Sequence, residues 1–286
     1  MITIIAIDMD GTLLNSENKI SKENIHAINK AQELGYEVVI ATGRSHYDAQ
    51  KIIEEVGLSL YLICANGSTI HSPSGTEILS NSAPYHEARE VIEWLENNKY
   101  YYELICHQGI YTPNWGKDVL QEEMNQLKDV LTQEDFAEIE HWYEKQLYQS
   151  GYVYMDVFEK VFRAEQKIYK ILVFSFNDEK RKKGWDQFEG KTDLSLMYSS
   201  PYNFELQHPK SSKGQAVQYL RKVLNLIGEK SMAIGDSGND LSMFEIVSDS
   251  YAMENANDDV KSKAKHLTAN NDAHGVAQAI NHFLNS

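Results

Sequence analysis

Short apolar runs that stop abruptly against polar residues, separated by stretches of helical periodicity, limit the class of fold open to this 286-residue chain. The first run, "IIAI", is followed at once by Asp8, Met9, Asp10, Gly11 and Thr12. The second, "YEVVIA", ends in Thr42, Gly43 and Arg44, and the third is "LYLICANG". Runs this apolar read as buried strands, which belong to parallel sheets covered by helices. Between the first two, "ISKENIHAINKAQELG" offers Ser21 as an N-cap, Ile25, Ile28, Ala31 and Leu34 at helical spacing, and Gly35 as a stop. A helix near 47–56 precedes the third run, so the opening reads as βαβαβ. "STIHSPSGTEILS" then reads as a hairpin turning at Pro73, Ser74 and Gly75.

The far end keeps the same rhythm: a helix after Ser212, the strand "SMAIG", the helix "NDLSMFEIV", the strand "SYAM", and helices near 258–265 and 273–284. Both ends are expected to share one sheet. Ser/Pro breaks at "SAPY" (82–85) and "SSPY" (199–202) bracket a segment that abandons the alternation. Its helices near 85–97 and 118–128 mix with strands at "YELICHQGIYT" and "IYKILVFSF". The expectation is an α/β protein: a Rossmann-like parallel-sheet core formed by 1–83 and 199–286, with an inserted α+β domain at 84–198.

Asp plus Glu number 42 against 27 Lys plus Arg, a net charge of -15 that repels nucleic acid and anionic membranes. An anionic substrate would need local positive charge from a metal, a few placed cationic side chains or helix N-termini. Cys64 and Cys106 lie in apolar surroundings that suit buried thiols and a reducing cytoplasm. The N-terminal apolar run lacks the length and basic flank of a signal peptide, and nothing approaches the roughly 20 apolar residues of a membrane span. A cytoplasmic protein with no nucleic-acid or membrane partner is expected, working as a monomer or a weak homodimer.

Asp8 and Asp10, two residues apart at a strand end, would share a side and repel unless a cation or a proton intervened. A calcium loop starting at Asp8 would need Gly and Glu where Leu13 and Lys19 stand, and a Walker A reading near Lys230 finds Val223 in place of its first Gly. A second acid cluster, "GDSGND" at 235–240, also follows a short apolar strand. If the two strands are parallel neighbours, Asp8, Asp10, Asp236 and Asp240 meet in the crevice where α/β sheets bind ligands, and make an oxygen site suited to Mg²⁺. Thr42 and Gly43, at a strand end before a helix, can face an anion, and Lys213 at another helix start can add a cation. Arg44 has two readings, phosphate contact or local pairing with an acid.

In order, Asp8-Met-Asp-Gly-Thr, Thr42-Gly43-Arg44, Lys213 and Gly235-Asp-Ser-Gly-Asn-Asp240 resemble the four motifs of the haloacid dehalogenase (HAD) superfamily phosphatases. The insert is similar to the α/β cap of the Cof-type branch, class IIB. "NG" at 66–67, "AMENA" at 252–256 and "HGVAQAI" at 274–280 also resemble that branch, whereas Asp249 and Tyr251 stand where smaller, more apolar residues are expected. The resemblance implies Asp8 as the nucleophile that forms an aspartyl-phosphate and Asp10 as general acid and then base. It implies Mg²⁺ held by Asp8, Asp10 (through its backbone carbonyl) and Asp236, with Asn239 and Asp240 in support. Thr42, Gly43 and Lys213 would hold the phosphoryl oxygens, and Asn239 would also lie at the substrate. The implied activity is Mg²⁺-dependent hydrolysis of a small phosphorylated metabolite, a sugar phosphate or nucleotide. A phosphomutase of the same fold and a non-catalytic phospho-acceptor are the alternatives.

Overall fold

A computed structural model describes residues 3–147 and 151–286. The chain divides into two compact units, Met1–Ser80 with Lys210–Ser286, and Asn81–Pro209. The first unit opens with β1 (Ile4–Ile7), α1 (Lys22–Glu33), β2 (Glu37–Ala41), α2 (His46–Glu55), β3 (Tyr61–Cys64) and a hairpin of β4 (Thr69–His71) and β5 (Glu77–Ser80). Ser21 caps α1 by accepting the Asn24 N–H, and Ser45 caps α2 by accepting that of Asp48. Of the expected apolar face of α1, Ile28 and Ala31 are buried, but Leu34 is 61% exposed. It stands one residue past the helix, and Ala27 lies in the core instead.

The second unit contains α3 (Tyr85–Asn97), β6 (Tyr101–Cys106), β7 (Gly109–Pro113), α4 (Gly116–Leu127), α5 (Gln133–Leu147), β8 (Tyr152–Met155), α6 (Glu159–Arg163), β9 (Ile168–Phe174), α7 (Asp178–Phe188), β10 (Ser195–Met197) and β11 (Asn203–Gln207). Its sheet runs β10-β11-β9-β6-β7-β8. Tyr102, Leu104, Ile171, Val173, Phe204 and Leu206 turn one face of it onto a core with Val91, Ile92 and Leu95 of α3 and Phe188 of α7. Strand alternation sends Glu103, Lys170 and Glu205 to the other face, where all three are nonetheless buried. Buried charge needs partners. Lys170 Nζ pairs with Glu205 at 2.9 Å, and Glu103 accepts from the Tyr101 and Tyr152 hydroxyls and from Gln146 at 2.8 Å. The expected return to the first unit at 199 comes too early: β11 pairs antiparallel with β9, Asn203 to Phe174 through Gln207 to Lys170, so the second unit runs on to Pro209. A Ser/Pro break marks a turn, but strand pairing decides which sheet the next residues join.

The chain returns to the first unit with α8 (Lys213–Val223), β12 (Met232–Gly235), α9 (Leu241–Phe244), β13 (Asp249–Ala252), α10 (Asp258–Lys263), β14 (His266–Leu267) and α11 (Gly275–Asn285). The eight strands lie in the order β14-β13-β12-β1-β2-β3-β4-β5, parallel from β14 to β3, with the hairpin added antiparallel. Ile5, Ile7, Val38, Ile40 and Ile234 pack under α1 and α11, while Ile4, Ala6, Val39, Ala41 and Ala233 pack under α8 and α9. Both faces of the sheet are therefore covered, which is why its central strands β1 and β12 carry no polar side chain. β1 sits centrally, with β2 on one side and β12 on the other, Ile5 opposite Val38 and Met232. No helix among the described residues is long and apolar enough to cross a membrane, and Cys64 and Cys106 are buried free thiols.

α8 lies close enough to α9 that a Cβ on Gly214 would stand 2.0 Å from the Ser242 carbonyl oxygen. Backbone cannot give way there as a side chain tip would. Gly214→Ala is expected to destabilise the protein by about 1–3 kcal/mol, with loss of activity because the displaced helix carries Lys213; a melting temperature within a degree of the parent's would contradict this packing.

Candidate active site

β1 ends at Ile7, but pairing with β12 continues one residue further, the Asp8 N–H donating to the Ile234 carbonyl at 3.0 Å. The chain then turns sharply through Met9–Leu13. Gly11 has φ +74°, and a Cβ there would lie 2.5 Å from Asp236 Oδ2, so the turn requires glycine at this position. Two contacts fasten the turn: the Thr12 hydroxyl donates to Asp236 Oδ1 at 3.1 Å, and Asn255 Nδ2 donates to the Gly11 carbonyl at 2.8 Å. Asn255 belongs to the "AMENA" stretch, which gives that signature a physical role.

Lys213 is the first residue of α8, whose N-cap is Ser212. It is 1% exposed, and its Nζ donates to Asp8 Oδ1 at 2.6 Å and to Asp240 Oδ1 at 2.7 Å. A lysine this buried keeps its charge only against close carboxylates, and these two hold its pKa above the ordinary value despite burial. The other oxygen of Asp240 accepts from the N–H groups of Asp236 and Ser237, each at 2.9 Å. Both Asp240 oxygens are thereby engaged, so this side chain shapes the loop after β12 as well as facing the cluster.

Ligand oxygens of Asp8, Asp236 and Asp240 lie within 4.8 Å of one another. Burial first, and then the charge of Asp240, raise the Asp8 carboxyl well above the usual range, against the lowering effect of Lys213. The same two causes push Asp236 up to about 6. Three carboxylates beside one lysine leave the site short of positive charge. The like charges acting on Asp8 are thus Asp240 and Asp236, rather than Asp10 as the strand alternation predicted. The chain leaves strand geometry at Met9, between the two acids, so the alternation fails and the Asp10 carboxylate goes to Arg44, whose Nε and Nη2 hold its two oxygens at 2.9 and 2.7 Å.

At the end of β2, Thr42 is fully buried, and its hydroxyl oxygen accepts the Arg44 N–H at 3.1 Å. Arg44 also donates from Nη1 to Asp48, four residues along at the start of α2. Asn239 donates from Nδ2 to Asn66 at 3.1 Å, while its buried Oδ1 has no hydrogen-bond partner. An orphaned buried amide oxygen on the residue next to Asp240 in the chain fits a site that takes a hydrated cation. Asp8, Lys213, Asp236 and Asp240 are therefore one contact set, with Asp10 and Arg44 paired nearby in chain and Thr42 bonded to Arg44. Thr12, Asn66, Asp48 and Asn255 escaped the sequence reading as site residues. The i,i+4 spacing of Arg44 and Asp48 was a usable signal for one of them.

The sequence profile for haloacid dehalogenase-like hydrolases matches residues 5–280. The chain belongs to that family, in its Cof-type phosphatase branch. Over 283 residues this HAD-like chain is 42% identical to the phosphatase YwpJ of Bacillus subtilis (strain 168), with 98% of it and 99% of the relative covered. It is 35% identical over 281 residues to the 5-amino-6-(5-phospho-D-ribitylamino)uracil phosphatase YwtE of the same organism, covering 98% and 97%. Among solved structures, a haloacid dehalogenase-like hydrolase from B. subtilis superimposes with a TM-score of 0.85 at 41% identity, over 98% and 99% of the two chains. A HAD subclass IIB sugar phosphatase shares the fold at a TM-score of 0.75 and 20% identity, over 98% of each chain.

The carboxylate crowding in this HAD-like site has a consequence for stability. Burial and the charge of Asp240 push the Asp236 carboxyl up to about 6 from its ordinary 3.8, so in metal-free protein its contribution is present below pH 4 and lost as pH rises through about 6. Asp236→Asn is expected to melt a few degrees above the parent at pH 7–8 without metal, an effect of at most about 3 kcal/mol. The gain should vanish near pH 4. A variant less stable than the parent at pH 8 would contradict the account of crowding.

Proposed function

We propose that this protein is a Mg²⁺-dependent phosphatase that hydrolyses a small phosphorylated metabolite through an aspartyl-phosphate on Asp8. The observation that carries the reading is the Asp8 carboxylate at the end of the central strand, bonded to buried Lys213 and flanked by Asp236 and Asp240. Phosphoryl transfer needs in-line positioning and neutralisation of charge more than covalent help. In this reading Asp8 attacks phosphorus, and Asp10 first gives a proton to the leaving oxygen and then takes one from the water that hydrolyses the intermediate. Lys213, Thr42 and Gly43 hold phosphoryl oxygens, and Lys213 aims the Asp8 carboxylate and opposes the burial that raises it. Asp8, Asp236 and the Asp10 carbonyl hold the cation, with Asp240 and Asn239 beside it. Once bound, it neutralises charge that builds on the transferring group.

The named substrates of relatives include a phosphorylated ribitylaminouracil, a sugar-like phosphate ester on a planar base. That supports a polyol or sugar phosphate as the substrate class.

Release of inorganic phosphate from a panel of sugar phosphates and nucleotides, with and without Mg²⁺, tests the reading. Hydrolysis should require the metal, and Asp8→Asn should lower kcat by at least about a thousandfold while remaining folded. Substantial Mg²⁺-dependent hydrolysis by purified Asp8→Asn would rule the mechanism out.

A further inference from the structure

Arg44 links two elements through one guanidinium. Nε and Nη2 take both oxygens of Asp10 at 2.9 and 2.7 Å, and Nη1 takes Asp48. The fork is itself fixed: the Arg44 side chain is 12% exposed, and Asp48, at 4%, lies in the first turn of α2, where its N–H is capped by Ser45. The Arg44 N–H is tied to Thr42. Asp10, by contrast, is 35% exposed and has neither helical nor paired-strand backbone, sitting beside Gly11 in the turn after β1. An aspartate in such a turn rotates about two side-chain torsions unless something holds it. A two-toothed guanidinium grip is the strongest common restraint on a carboxylate's orientation, and a lysine cannot reproduce it.

We propose that Arg44 is a positioning residue for Asp10, anchored on Asp48, and that it sets how well the enzyme handles phosphates with poor leaving groups. The inference rests on the reading of Asp10 as the group that protonates the leaving oxygen; the fork holds Asp10 ionised, so the proton it gives is first taken up from water on one oxygen as one Arg44 N–H lets go, while the other N–H keeps the carboxyl aimed. The later activation of water is common to all substrates, but kcat/KM reports only the steps up to phosphoryl transfer onto Asp8, and there loss of positioning harms only those reactions in which the leaving oxygen needs a proton. An alkoxide does need one, whereas p-nitrophenolate departs as a stable anion without it. Arg44 therefore acts on one term of the reaction, and its removal separates two classes of substrate that a phosphate-binding residue would treat alike.

The test compares kcat/KM for p-nitrophenyl phosphate with that for the best alkyl phosphate found in the phosphate-release panel, for the parent, Arg44→Met, Arg44→Lys and Arg44→Met/Asp48→Asn. The double variant also removes the charge of the buried Asp48 carboxylate, which the single one leaves without its Arg44 contact, and melting temperatures establish that each protein is folded. The alkyl phosphate should lose at least about tenfold more activity than the aryl phosphate in all three variants, within the range a general acid contributes. Arg44→Lys should sit near Arg44→Met, since it keeps the charge but not the fork. Equal losses for both substrates, or full recovery in Arg44→Lys, would overturn the role of Arg44 while leaving the phosphatase reading in place. A parent that hydrolyses neither substrate would overturn both.

Discussion

A lysine amine buried between two carboxylates organises the first unit of this protein. Lys213 Nζ lies 2.6 Å from Asp8 and 2.7 Å from Asp240, with almost no solvent to share the charge. Desolvating three such groups is expensive, and only their mutual attraction offsets it. The geometry must accordingly be held from several directions. β1 delivers Asp8, the capped start of α8 delivers Lys213, and the loop after β12 delivers Asp240 with its second oxygen bonded to two backbone N–H groups. With Asp236 added, the cluster carries more negative than positive charge, and the raised carboxyls of Asp8 and Asp236 register that excess. A divalent cation is the natural complement.

The topology explains why these groups can meet at all. In a doubly wound sheet, the strand ends beside the central strand open onto a crevice that the chain has no need to fill with core. β1 is flanked by β2 and β12, so three strand ends contribute Asp8, Thr42 and Asp236 from positions 34 and more residues apart in sequence. The chain passes through an entire second unit between β5 and α8 without disturbing that arrangement, because the sheet pairs β1 with β12 directly. Glycine at position 11 permits the close approach of the β1 loop to Asp236, and Asn255 closes it from the far side.

Much of this was legible in the sequence, and the limits have physical causes. Uninterrupted apolar runs announced buried parallel strands, and acids placed directly after two of them announced a site, since each signal is local. Lys213 was legible only through its place in a series of motifs, because an isolated lysine at a helix start reads as surface. The partner of Asp10 was not fixed by the sequence: strand alternation predicted proximity to Asp8, but the chain leaves strand geometry at Met9 between them, and Arg44 was open to two roles. The end of the second unit was misplaced by about ten residues, since β11 joins its sheet by pairing with β9, a contact no local pattern encodes. Helix α5 and its Gln146, which reaches buried Glu103, were missed for a related reason: the segment is polar on most faces, and its buried positions depend on tertiary partners.

The claim on which the rest turns is that Asp8 is phosphorylated during turnover. Rapid quenching of a reacting mixture into hydroxylamine, followed by peptide mapping, measures it most directly, since an acyl phosphate is converted to a hydroxamate at the carboxyl that carried it. The account predicts modification at Asp8, dependent on both substrate and Mg²⁺, and absent from Asp10, Asp236 and Asp240. Turnover with modification at another carboxylate, or with none at Asp8 while phosphate is being released, would contradict it.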